Sequence, residues 1–177
     1  MKVLKKVMVV LCVVVIFLVN NVKAEEIIIP NEAIRIRVIA NSNSVEDQYI
    51  KGQVRDDLQV QLQELLVDAK SVDEVRKILN DNLEDFDFTV EKVLEKHNVN
   101  MTFNINYGLN FFPEKNFKGI VYEEGYYESV VVTLGKGEGD NWWCVLFPPL
   151  CLMEAEEENI DEVEYRSFIK DVLDKFF

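Results

Sequence analysis

Glycine and proline are distributed so unevenly that they divide the chain before anything else is read. Residues 44–97 contain one glycine, Gly52, and no proline, whereas residues 103–147 hold six of the seven glycines and eleven of the nineteen aromatic residues. A stretch free of breakers can run as helix. One rich in glycine and aromatics must turn often and reads as strands. Helices and strands kept in separate blocks indicate an α+β chain. The expected architecture is a single domain over residues 25–177. It has a mainly antiparallel sheet of about five strands packed by helices on one side, with an amphipathic helix at the C-terminus.

The local patterns fill in this outline. Residues 33–40 alternate, with Ile34, Ile36 and Val38 on one side and Arg35 and Arg37 on the other, as in a half-buried strand. Asn41 to Ser44 then break the strand with turn-forming side chains. Ser44 suits an N-cap, with Asp47 three residues on, and Ile50, Val54, Leu58, Leu62 and Leu66 mark a helix face. Ser71 with Glu74 opens a second helix, and Phe86, Val90, Val93 and Leu94 carry a third towards His97. Val99, Met101, Phe103, Ile105 and Tyr107 alternate as a strand, Pro113 and Asn116 suggest a turn, and Ile120–Tyr122 forms a short strand. Ser129–Leu134 is β-branched and almost wholly apolar, the pattern of a central strand. Residues 142–147 are expected to pair with it as a hairpin across the loop at 135–141, and Pro148-Pro149 ends the sheet. Seven acids in residues 154–164 make a solvated connector. In the final helix, over 161–177, Tyr165, Phe168, Ile169, Val172, Leu173 and Phe176 form a stripe that docks on the chain's own sheet or on a partner.

The N-terminus belongs to none of this. Lys2, Lys5 and Lys6 precede thirteen uncharged apolar residues, Val7–Val19, and small residues stand at Val22 and Ala24. This is the pattern of a secretory signal peptide over residues 1–24, with cleavage expected after Ala24. Thirteen helical residues reach about 20 Å, short of the ~30 Å hydrocarbon core. The leader carries four lysines and no acid, so its loss takes the net charge from −13 to −17. Such a chain repels phosphates, which argues against nucleic acid as a partner, and after cleavage it has no reason to cling to anionic lipid. Removal of the leader takes Cys12 with it. Cys144 and Cys151 remain, with six residues between them. In an exported chain this pair suits a disulfide, and two buried thiols are the alternative.

Catalytic patterns are sparse. The glycines at 135, 137 and 139 lack the following Gly-Lys-Ser/Thr of a phosphate loop and read as a flexible turn. His97 is the only histidine, and no nucleophile elbow accompanies it. No metal-ligand or cofactor spacing is present. Glu123, Glu124 and Glu128 lie among Tyr122, Tyr126 and Tyr127, which leaves a secreted cell-wall hydrolase with paired carboxylates as the alternative function. The adjacent Trp142 and Trp143 point to opposite faces of a strand. One of them is either an outward aromatic anchor for a protein partner or covered by the final helix.

Longer stretches carry a resemblance. They include Ile34 to Ser44, Glu46-Asp-Gln48, Ile105 to Gly108, Phe112 to Lys115 and Tyr127 to Gly135. The longest is Gly137 to Cys151, with Trp142-Trp143-Cys144 at its centre. Together they resemble the stage II sporulation protein R family. The resemblance implies a secreted, non-enzymatic signal of endospore formation, exported into the space between the forespore and mother-cell membranes. There it would bind the extracytoplasmic part of a membrane-embedded aspartic protease and so switch on processing of the sigma-E precursor. On this reading there is no small-molecule substrate, and membrane contact is made only through the leader. Trp142 and Trp143 are the expected apolar contacts, and Arg35, Arg37 and Asn41, expected to be exposed on strand and turn, the polar ones.

Overall fold

The computed structural model describes residues 27, 29–117, 120–150 and 162–176. The leader with its expected cleavage after Ala24, Cys151, and the acidic run as far as residue 161 lie outside them. The described elements are β1 (Ile34–Ile39), α1 (Val45–Leu66), α2 (Val72–Asp81), α3 (Leu83–Lys96), β2 (Phe103–Phe112), β3 (Lys115–Phe117), β4 (Ile120–Tyr122), β5 (Gly125–Leu134), β6 (Asn141–Phe147) and α4 (Glu162–Phe176). The last three residues of the expected acidic connector therefore begin α4.

The starts of α1 and α2 are set by side-chain caps. Ser44 Oγ accepts from the Asp47 amide at 3.1 Å and Ser71 Oγ from the Glu74 amide at 3.3 Å, satisfying donors that the first turn leaves unpaired. The Glu74 carboxylate accepts from the Lys70 amide at 2.8 Å, one residue ahead of the cap. The buried residues of α1 are Ile50, Val54, Leu58, Leu62 and Leu66. At a spacing of four, each step overshoots a full turn by about 40°. The buried stripe thus winds around α1.

The main sheet has the order β2-β5-β1-β6 and is mixed. β1 runs parallel to β5 and antiparallel to β6, and β2 is antiparallel to β5. A separate two-stranded ribbon pairs β3 with β4, so Asn116 lies in a strand and not in a turn. The hairpin expected between β5 and β6 does not form, because β1 occupies the place between them. The glycine loop carries the chain over the end of β1 and fastens to it. The Glu138 amide donates to Asn41 O and the Gly139 amide to Ala40 O, while Gly135 and Gly137 take φ of +54° and +67°.

One face of the sheet, with Ile34, Ile36, Val38, Val130, Val132, Leu134 and Leu146, packs against α1, α2 and α3. The opposite face is covered in part by α4 and the β3–β4 ribbon, through Tyr165, Ile169, Val172, Ile120 and Tyr122. The final helix therefore docks on the chain's own sheet, and the helices divide between the two faces. Among the described residues no helix is long and apolar enough to cross a membrane.

The sheet is strongly coiled. In a flat sheet β2 and β6 would stand about 14 Å apart, yet the rings of Phe112 and Trp143, one on each edge strand, lie 5.5 Å apart. The far half of the β2–β5 hairpin curls across the second face and turns it into a trough with β1 at the bottom.

Candidate functional site in the trough

Arg35 lies at the centre of this trough. The exposure expected of it does not occur: the residue is fully buried. Its guanidinium sits 3.4 Å from the ring centroid of Tyr127, 5.4 Å from those of Phe112 and Trp143, and 6.0 Å from that of Tyr122. The alternation of β1 does send Arg35 away from the aliphatic core, but the curled hairpin and the ribbon cover that side too. Nε and Nη1 find no hydrogen-bond partner. Burial lowers the guanidinium pKa and Tyr127 opposes the shift. The aromatic faces supply the compensating negative potential, which suits a flat, weakly hydrated guanidinium better than an ammonium.

Arg37, the next residue on this side, is half-buried. Its Nη1 donates to Phe111 O at 3.3 Å, tying the curled end of β2 to β1. Its Nε is buried without a partner, and burial lowers its pKa as well.

The two tryptophans separate as strand geometry requires. Trp143 is buried in the trough, edge-on to Phe112 and to Tyr122, whose centroid is 5.1 Å away, with the Lys115 ammonium 5.0 Å over its ring. Trp142 is half-buried against the helical core, with the Arg55 guanidinium 5.9 Å from its ring. Neither stands as a free protrusion, because each face of β6 is covered. Cys144, on the same side of β6 as Trp142, is disulfide-bonded.

Asn41 is also half-buried and fully engaged. Its Nδ2 donates to Asp47 Oδ2 at 2.9 Å, and its Oδ1 accepts from the Lys136 amide at 3.0 Å. A Cβ added at Gly135 would overlap the Asn41 side chain. Asn43 and Asp140 bind each other's groups across the same junction. The glycine loop and the Asn-Ser-Asn-Ser turn thus form one clasp that holds β1 between its neighbours. The sequence signal for it is the pair of turn-rich segments themselves, neither of which reports locally that the two meet.

A family model described as stage II sporulation protein R matches residues 30–157. The chain belongs to that family. It is 34% identical over 152 residues to the stage II sporulation protein R of Bacillus subtilis (strain 168), covering 85% of this chain and 68% of the relative. No solved structure matches the chain. The matched range contains β1 to β6, and so the whole trough and the clasp, and it ends before α4.

Among the described residues, Glu123, Glu124 and Glu128 do not converge. Glu128 projects to the helical face, where Arg76 Nε and Nη2 donate to it at 3.0 and 2.9 Å and Tyr107 Oη at 2.5 Å. Burial pushes the Glu128 carboxyl up, but these donors outweigh it and leave the pKa below the usual value. Glu123 and Glu124 are exposed in the turn before β5. Among the described residues, a cavity of about 130 Å³ beside Trp143, Tyr122 and Tyr165 is lined by no carboxylate. A larger one of about 450 Å³, between α1 and α4, is lined among the described residues by one carboxylate, Asp171. Among the described residues no group of three or more His, Cys, Asp or Glu could hold a metal. His97 ends α3, edge-on to Tyr49 at 5.5 Å.

Proposed function

We propose that this chain is an exported signal of endospore formation that acts by binding and breaks no bond itself. Its target on this reading is the extracytoplasmic part of a membrane-embedded aspartic protease, which then processes the sigma-E precursor. The observation that carries the proposal is the family match over residues 30–157. The geometry is compatible with it. The most chemically conspicuous residues, Arg35 and Trp143, are used to hold a coiled sheet, and Glu128 is neutralised by Arg76.

The leader up to Ala24 delivers the chain to the space between forespore and mother-cell membranes. Cys144 and Cys151 form the disulfide there, fixing the turn after β6. Activation requires preferential binding to one state of the protease. Moving an equilibrium from 1:99 to 99:1 needs a preference of about 5.5 kcal/mol. Trp142, Arg37 and Asn41, all half-buried, keep part of their surface for such contact.

The test is reconstitution. Purified exported protein is added to membranes carrying the protease and its sigma-factor precursor. Processing should appear on addition and scale with concentration. Equal processing in its absence, or none in its presence, overturns the proposal.

A further inference from the structure

β2 is an edge strand, bonded to β5 on one side only. Which of its main-chain groups face outward follows from one bond. The Gly135 amide donates to Thr102 O at 2.7 Å. In the register that sets Phe103 against Leu134, Thr102 stands opposite Gly135. That bond marks a hydrogen-bonded pair, and such pairs alternate along an antiparallel ladder. Asn104, Asn106, Gly108 and Asn110 therefore turn their N–H and C=O groups to β5. Phe103, Ile105, Tyr107, Leu109 and Phe111 turn theirs outward. Arg37 Nη1 donates to the Phe111 carbonyl at 3.3 Å, and no main-chain bond among the described residues reaches the other four, which form the open edge.

Natural edge strands are guarded by charges, prolines or bulges. β2 has none of these. Sixteen residues, Asn98 to Pro113, carry no charge in a chain that is 29% charged, and the pairing of β2 with β5 runs without a bulge. At its far end the hairpin extends past the helices. Leu109 is 74% exposed and Tyr126 71%, and the rings of Phe111 and Tyr126 meet edge to face at 5.6 Å. Next to this apolar patch, at the turns where β2 ends and β5 begins, Glu114, Glu123 and Glu124 are exposed and enter no ion pair among the described residues.

We infer that the outer edge of β2 is a docking site for an extended segment of the protein partner, which adds to the sheet as a strand. The segment sets apolar side chains on Leu109, Phe111 and Tyr126 and a basic residue against Glu114, Glu123 and Glu124. Main-chain bonding supplies affinity, and the patch and its carboxylates supply choice. Charge decides between this occupant and a second copy of the chain, since two exported molecules, each at −17 without the leader's four lysines, repel. The inference deepens the proposed function by naming the surface that meets the protease, and it rests on that reading.

Leu109→Pro in the full, exported chain is the direct test. The Leu109 amide faces away from β5, so the chain's own ladder keeps its bonds while an incoming strand loses one and meets the ring. The variant should keep the wild-type circular dichroism and level of export, and stimulate processing at least tenfold less. A photo-crosslinking residue at position 109 should capture the protease, identified by mass. The double variant Glu123→Lys/Glu124→Lys changes only exposed side chains, and so serves if the proline variant fails to fold. It should lower stimulation severalfold at low salt. A folded Leu109→Pro as active as the wild type, an unaffected charge-reversal variant, or a cross-link to a second copy of the chain overturns the inference. If the wild type fails to stimulate processing at all, the proposed function falls. The edge then stands only if position 109 cross-links to another identified protein and Leu109→Pro abolishes that binding.

Discussion

The two faces of the sheet solve the same problem differently, and two arginines show how. On the helical face Arg76 is partly exposed and meets carboxylates, Glu128 at 2.9 Å and Asp73 at 2.8 Å. In the trough Arg35 is fully buried and meets rings. The first face takes its stability from interdigitated aliphatic side chains and places its charges at the margin. The second has a cation at its centre and wraps aromatic faces around it. A buried charge is tolerated wherever its surroundings restore what water supplied, and paired carboxylates are only one way to do so.

The largest effect should come from the aliphatic face. Leu58 is buried in the α1 stripe, within the core that receives Ile34, Ile36 and Val38. Leu58→Ala removes buried methyl groups and leaves a cavity, at a cost of about 2–5 kcal/mol. Urea denaturation should show a lower midpoint with an unchanged slope. A loss well under 1 kcal/mol would mean that the helical face is not where the fold draws its stability.

The marginal charges should matter less, and in a pH-dependent way. Arg76 and Tyr107 hold the Glu128 carboxyl below its ordinary value in the folded chain, against the opposing effect of burial. A carboxyl depressed by folding contributes stability above the unfolded pKa of about 4.3, and loses it as pH falls through the folded value. Arg76 is 40% exposed, so solvent discounts the pair and the contribution at pH 7 is about 1 kcal/mol. Glu128→Gln should be less stable than the wild type at pH 7, and the difference should shrink as the pH falls below about 4. A difference that grew on acidification would reverse the assigned sign.

The helical face was legible in the sequence because its signals are local. Ser44 and Ser71 announce helix starts within three residues, and the spacing of Ile50, Val54, Leu58 and Leu62 needs no knowledge of what lies opposite. The alternation of Ile34, Ile36 and Val38 likewise gave the correct inward face of β1. The trough was not legible, for a physical reason. Whether Arg35 sees water depends on Phe112, Tyr122, Tyr127 and Trp143, each more than seventy residues away. Alternation tells which side a residue takes but not what covers that side. The placement of β1 between β5 and β6 failed to show for the same reason. Consecutive strands usually neighbour each other, whereas here β1 pairs with both β5 and β6 and the clasp between Asn41 and the glycine loop fastens it there.

Replacing Arg35 by Met should give the smallest change in stability, and the most telling one. Its burial is opposed by lost hydration and by two nitrogens without hydrogen-bond partners, and favoured by stacking on Tyr127. Where a buried cation is replaced by an apolar side chain of similar volume, stability is often unchanged or increased. Arg35→Met should therefore shift the unfolding free energy by less than about 1 kcal/mol in either direction. Arg35→Ala empties the space between the rings and should cost several times more. Arg35→Lys keeps the charge but loses the flat stacking surface, so it should fall on the Ala side of the series. Urea denaturation of the three variants ranks them directly. If Met proves as damaging as Ala, the guanidinium contributes by its charge and donors more than by its shape. The two faces would then differ less than their residues suggest, both depending on a cation that is electrostatically satisfied.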